Sequence, residues 1–304
     1  QNTDRTVISV GRVMTCVLGM VVRREREIRS FVKTPFYRVL LTEELAGRTF
    51  DGEWRAVEGS AYYQSPLLYK ENGFKKEEDA KALIAQLKSL TPQEAEVLSV
   101  ERKKETRYAP LLYNLAELQN ECSRRFKISP DETLKITQEL YEKKLVTYPR
   151  TDARVLSSSV AKEIHKNIGG LRNYAPTAAF AAEILDSGSY KGIAKTRYVN
   201  DKQITDHYAV IPTGQGLSNL KSLPAVSARV YEIIVRRFLS IFYPAAVYRK
   251  CSLSVKVKEE KFFSNFKVLE EEGYLKVAAF SFKKENTAAR QENGDEGKPP
   301  AEGE

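Results

Sequence analysis

Residues 110–157 read PLLYNLAELQNECSRRFKISPDETLKITQELYEKKLVTYPRTDARVLS, and the reading of this stretch decides the fold. Leu111, Leu112, Leu115, Leu118 and Cys122 recur at the spacing of one helix face, which predicts a helix beginning near residue 110 with that face buried. Ser129, Pro130 and Glu132 supply an N-cap, a first-turn proline and an N3 acid, the pattern of a capping box that opens a second helix. Leu134, Tyr141 and Leu145 fall on one side of this helix and Ile136 with Leu140 on another, so it is expected to be sandwiched. Pro149 forbids a continuing helix, and LVTYPRTD therefore reads as extended. SSSVAKEIHKNI, at 157–168, resumes the helical pattern.

Outward from this stretch, GRVMTCVLGMVVRREREIRS at 11–30 places Val17, Leu18, Val21 and Val22 on a helical stripe followed by Arg23, Arg24, Arg26 and Arg29. The basic end is either a solvated face or a surface for phosphates. Thr34-Pro35 is expected to end that helix. Residues 36–69 are rich in aromatic and β-branched types and read as strands, with a short helix near 77–90 and another strand through VLSVERKKETRYAP. Residues 170–227 read mostly as loop, and an amphipathic helix is expected at 226–243 with strands after Pro244. The polar tail at 285–304 is expected to be disordered. The consecutive helices and extended segment of 110–168 resemble a helix-turn-helix or winged-helix core.

At 304 residues the chain has room for two or three domains, by the usual allowance of about 100–200 residues each. Its 42% hydrophobic and 29% charged residues are an ordinary globular mixture, and no apolar run is long enough to span a bilayer. A formal charge of +9 favours an anionic partner. Three scattered cysteines and two histidines argue against a disulfide framework, a cysteine-ligated zinc site or a histidine-rich metal cluster, and suit a reducing cytoplasm. QNTDRTVISV shows no signal-peptide pattern, and a chain opening this way is expected to be a fragment.

Two stretches carry chemistry. In TYPRTD, an extended backbone would put Tyr148, Arg150 and Asp152 on one face. A phenol is almost wholly protonated at neutral pH and is a poor nucleophile alone. A guanidinium two residues away can engage the phosphate that the phenol would attack and stabilise charge developing there, with Asp152 orienting it. The same string also suits a strand end with a packed tyrosine and a surface ion pair. In DKQITDHYAVIPTGQG, at 201–216, His207 lies in a loop ahead of an apolar run, where it could be structural or could contact phosphate.

TYPRTD preceded by YEKKLV, then DHYAVIPT some sixty residues on, and GRVMTCVLGMVVRREREI upstream, closely resemble the type IA DNA topoisomerases, nearest to their bacterial topoisomerase III branch. The resemblance covers residues 9–245 and the following strands loosely. It implies that Tyr148 matches the nucleophile forming a 5′-phosphotyrosine bond and that Arg150 matches the arginine positioning the scissile phosphate. His207 matches the active-site histidine, and Arg12 matches an arginine of the single-strand groove. Arg23, Arg24 and Asp152 are further candidate DNA contacts. Met14, Cys16, Ala153 and Tyr208 depart from the family pattern, and Met14 puts the groove contact at that position in doubt.

The implied fold is an α+β multidomain toroid. Residues 1–32 would belong to domain IV, 33–108 and 214–284 to the strand-rich arch of domain II, and 109–213 to a winged-helix, catabolite-activator-like domain III. The implied activity is that of an isomerase: ATP-independent cleavage and religation of single-stranded DNA with strand passage. The family's Mg²⁺ sits in an acidic TOPRIM domain that nothing in this sequence resembles. No metal ligand is therefore assigned here, and the fragment is expected to be inactive alone. Expected partners are single-stranded and negatively supercoiled DNA, with no membrane, for a monomer in the bacterial cytoplasm at the nucleoid. The competing reading is a non-catalytic winged-helix DNA-binding module. A tyrosine recombinase needs an Arg, His and Arg set that cannot be placed, and a relaxase needs an HxH string that is absent.

Overall fold

The computed structural model describes residues 11–45, 48–89 and 95–281, so the tail expected to be disordered lies outside the described residues. The chain divides into two units: Gln1–Val100 with Leu253–Ser264, and Glu101–Ser252 with Asn265–Glu304. A five-stranded sheet has the order β1-β2-β7-β6-β5, formed by β1 (Leu40–Leu45), β2 (Arg48–Arg55), β5 (Glu96–Arg107), β6 (Ala246–Val257) and β7 (Glu260–Glu271). β3 (Leu68–Lys70) and β4 (Gly73–Phe74) make a separate pair. Helices and strands in these proportions bear out the α+β expectation.

In the first unit, α1 (Arg12–Arg29) buries none of its residues, and Val17, Leu18 and Val21 are all exposed. It ends at Arg29, where the Ser30 amide turns back to the carbonyls of Arg26 and Ile28, so the stop precedes Pro35 and is not caused by it. β1 and β2 pair antiparallel with Leu40 opposite Glu53 and Leu45 opposite Arg48. α2 (Glu77–Lys88) starts on three acids, which suit the positive end of a helix. The core packs Trp54 flat on Phe74, with ring centroids 4.9 Å apart, together with Leu83, Val255 and Phe262. Glu260 is buried beside them as a carboxylate that accepts from the Trp54 indole (2.6 Å), the Ser60 hydroxyl (2.7 Å) and the Ala61 amide (3.0 Å). Those donors satisfy the buried acid without a cation.

Besides parts of β5, β6 and β7, the second unit holds α3 (Leu115–Phe126), α4 (Pro130–Glu142), α5 (Ser158–Gly170), α6 (Ala178–Ser187), α7 (Ala225–Ser240) and the short α8 (Leu275–Ala278). The predicted start near residue 110 is too early. Asn114 accepts the Glu117 amide at 2.8 Å and caps α3, while the preceding residues are extended and Tyr113 bridges Val210. Ser129 caps α4 through the Glu132 amide, as its sequence predicts. That helix is not sandwiched: Thr133, Ile136, Thr137 and Leu140 are buried, but Tyr141 is exposed. α6 falls inside the stretch read as loop, because the flanking Pro176 and Gly188 mask a ten-residue helix of high propensity. α7 is buried on nearly every side, and its Arg236 pairs with Glu232 at 2.6 Å while both are buried.

The winged-helix character expected of residues 109–213 is not confirmed. No β-strand lies between α3 and α7; short 3-10 turns fill the place of a wing, and only isolated bridges such as Leu156 with Val199 occur there. The glycine, proline and asparagine punctuation between 170 and 216 interrupts any run long enough to pair as a hairpin.

Candidate active site

Two segments far apart in sequence, 144–154 and 207–216, are laced together in the second unit. The Thr147 amide donates to the Ile211 carbonyl (3.0 Å), and its hydroxyl donates to the Ala209 carbonyl (3.1 Å) while accepting the Ile211 amide (3.0 Å). Four residues on, the Thr151 hydroxyl donates to the His207 carbonyl at 2.8 Å and accepts the Ala153 amide. Tyr148 lies between these two threonine clamps. Sequence reasoning passed over both threonines, whose partners are distant in the chain.

The glycines of the second segment permit this closeness. Gly214 has φ +77°, and a Cβ there would stand 2.5 Å from the Asn167 carbonyl oxygen. Gly216 has φ +70°, and a Cβ would stand 2.3 Å from the Lys143 oxygen. Both positions need the left-handed backbone and the missing side chain. From the other side, Arg237 on α7 donates to the Leu111 carbonyl (2.9 Å) and to the Tyr113 hydroxyl (3.0 Å), fixing the strand-like residues that bridge Val210.

The result brings Tyr148 and His207 together, with ring centroids 4.3 Å apart and planes tilted by 40°. Tyr141 meets Tyr148 edge-on at 5.5 Å. Tyr148 is half-buried and lines a cleft of about 530 Å³ with Tyr141, Glu142, Lys144, Val146, Thr147, Tyr208, Thr213 and Gln215. Burial pushes the Tyr208 phenol up, which keeps it a neutral hydrogen-bonding group in that wall.

Arg150 does not share the lining of this cleft. It is exposed and borders a neighbouring hollow of about 400 Å³ with Asp131, Leu134, Lys135, Gln138, Glu139 and Glu142. The single extended face expected for Tyr148, Arg150 and Asp152 is broken because the Thr151 amide bonds back to the Pro149 carbonyl at 3.0 Å, a tight three-residue turn. Asp152 is exposed, and its carbonyl accepts from Asn114 (3.1 Å). Arg12, Arg23 and Arg24 are exposed residues of α1 in the first unit, and Arg24 pairs with Glu27 at 3.0 Å.

Among the described residues no three His, Cys, Asp or Glu side chains come together to hold a metal ion. The Tyr148 cleft contains one carboxylate, Glu142, which does not make a divalent-ion site. No helix of the described residues is long and apolar enough to cross a membrane. Chemically, the cleft offers a phenol and an ammonium around an open space, with the His207 ring against the phenol ring, a set suited to an anionic substrate and to covalent transfer through the phenol oxygen.

A family model described as DNA topoisomerase matches residues 1–301. The chain is 33% identical over 274 residues to DNA topoisomerase 3 of Bacillus subtilis (strain 168), covering 89% of this chain and 34% of that protein. It is 29% identical over 300 residues to DNA topoisomerase 3 of Bacillus anthracis, covering 95% of this chain and 38% of the other. The chain thus spans a little over a third of the length of these relatives. Full-length topoisomerase I from Thermotoga maritima, in a monoclinic crystal form, shares the fold: TM-score 0.60, 22% identity, 92% of this chain and 43% of that one.

Proposed function

The chain belongs to the type IA DNA topoisomerase family, and we propose that it carries the DNA-cleaving tyrosine of such an enzyme, Tyr148. The phenol oxygen attacks the phosphorus of a phosphodiester in single-stranded DNA. A bond forms between that oxygen and the 5′-phosphate, the bond to the 3′-oxygen breaks, and the phenolic proton is given up as the 3′-hydroxyl gains one. The covalent link conserves the energy of the phosphodiester, so religation by the 3′-hydroxyl needs no ATP. The observation that carries this reading is the contact between Tyr148 and His207, whose motifs lie fifty-nine residues apart in the chain.

His207, exposed and packed against Tyr148, is placed by this reading against the phosphate or the proton in transit. Arg150 has no ion-pair partner among the described residues and is exposed, so its long side chain is free to swing to the scissile phosphate and stabilise charge there. Asp152, Arg12, Arg23 and Arg24 are proposed as further DNA contacts. The domain scheme remains part of this proposal: 1–32 in domain IV, 33–108 and 214–284 in domain II, 109–213 in domain III.

The residues present do not fit the family's Mg²⁺, and no step here runs through it; in the intact enzyme the ion is assigned to a TOPRIM domain. Single-stranded and negatively supercoiled DNA are the proposed substrates of a monomer in the bacterial cytoplasm. The 304 residues alone are expected not to relax a supercoiled plasmid in the presence of Mg²⁺; clear relaxation would place the metal site within this chain after all. Replacing Tyr148 with Phe in a full-length protein carrying this chain separates an enzyme from a winged-helix binding module, because only the enzyme loses a covalent DNA adduct.

A further inference from the structure

We propose that Lys144 is a phosphate-binding residue of the Tyr148 cleft, holding the DNA backbone beside the phenol; the inference rests on the nucleophile reading above. α4 ends in a Schellman motif: the Leu145 amide bonds to the Leu140 carbonyl (2.9 Å) and the Lys144 amide to the Tyr141 carbonyl (2.8 Å). Lys144 occupies the position that glycine favours, with φ +61°, so a side chain is kept where the backbone is better served by none. That backbone is clamped, since the Thr213 hydroxyl donates to the Lys144 carbonyl and Gly216 lies against the Lys143 carbonyl.

The side chain has the attributes of an anion ligand. Lys144 is exposed and lines the cleft together with Tyr148, Tyr141, Tyr208 and Gln215. Its ammonium has no carboxylate partner among the described residues, whereas the adjacent Lys143 pairs with Glu139 at 3.8 Å. With Arg150 bordering the other hollow, Lys144 is the cation among the residues that line the tyrosine's own cleft. Lys127 provides an internal control. It ends α3 with φ +58°, is also exposed, and lines neither cleft.

The test compares Lys144→Gly, Lys144→Arg and Lys127→Gly in the 304-residue chain, binding a labelled single-stranded oligonucleotide across a salt series. Both glycine variants relieve a left-handed backbone and should unfold at equal or higher denaturant than the parent, so lost binding cannot be blamed on lost folding. Lys144→Gly should weaken binding and lower the slope of log affinity against log salt by about 0.7, the value of one single-strand phosphate contact. Lys144→Arg should keep the slope, and Lys127→Gly should leave both quantities unchanged. An unchanged slope in Lys144→Gly, an equal drop in Lys127→Gly, or a parent chain that binds no oligonucleotide overturns the proposal. Adduct formation by a full-length Tyr148→Phe protein is read separately: an adduct that persists while Lys144→Gly lowers the slope sinks the nucleophile and leaves the phosphate site.

Discussion

Two hollows border α4 and its C-terminal turn, and they differ in kind. The one around Tyr148 is walled by three tyrosines and carries Glu142 and Lys144 as its charges. The one around Arg150 has Asp131, Glu139 and Glu142 facing Lys135 and the arginine. A polyanion is better received by the first, where aromatic faces and an unpaired ammonium meet few carboxylates. The second, with three carboxylates against two cations, repels it. The contrast teaches that Tyr148 and Arg150, two residues apart, line different hollows because of the tight turn at Pro149–Thr151; on the proposed reading a side-chain movement of Arg150 would bring both to one phosphate.

The strongest way to break this comparison is to remove the arginine. Arg150→Ala in a full-length protein should slow adduct formation by about 10²–10³-fold, the usual cost of losing a donor aimed at developing charge. A rate unchanged within a few fold would confine Arg150 to its resting hollow. His207→Ala should slow the same step by about 10²-fold, at the low end for a group acting on a proton in transit. Thr151→Val sharpens the turn's role: it removes the donor to the His207 carbonyl and the acceptor of the Ala153 amide, and should cost about 1–3 kcal/mol in urea denaturation. Tyr141→Leu should cost less, about 0.5–1.5 kcal/mol for a lost edge-to-face contact, while leaving the fold intact.

Acid should loosen the scaffold. Burial raises the Glu232 carboxyl, but hydrogen bonds from Ser281 and Arg236 outweigh it and hold the group below the usual carboxylate range. A depressed folded-state value means the stabilisation is present above the ordinary carboxylate range and is lost as pH falls through the folded value. Glu232→Gln should therefore flatten the acid limb of a stability–pH curve; an unchanged limb contradicts that assignment.

The helical framework was legible because it rests on local rules, while the two motifs were joined only by their resemblance to a known family. The Ser129 cap and the apolar spacing of α3 and α7 leave a pattern in the chain. The direction of Arg150 left none. It depends on one amide bonding back to Pro149, an event without periodicity. The threonine clamps were missed for a related reason, since their partners are carbonyls some sixty residues away. α1 was legible as a helix, yet the sequence says only that its apolar stripe could be covered and not by what; in this structure it is exposed.

The most direct test of the account is to trap the reaction on single-stranded DNA in a full-length protein and identify the linked residue by mass spectrometry of the digested adduct. The account predicts a nucleotide joined through its 5′-phosphate to Tyr148, and no adduct from Tyr148→Phe. A link to any other side chain, or attachment through a 3′-phosphate, contradicts it.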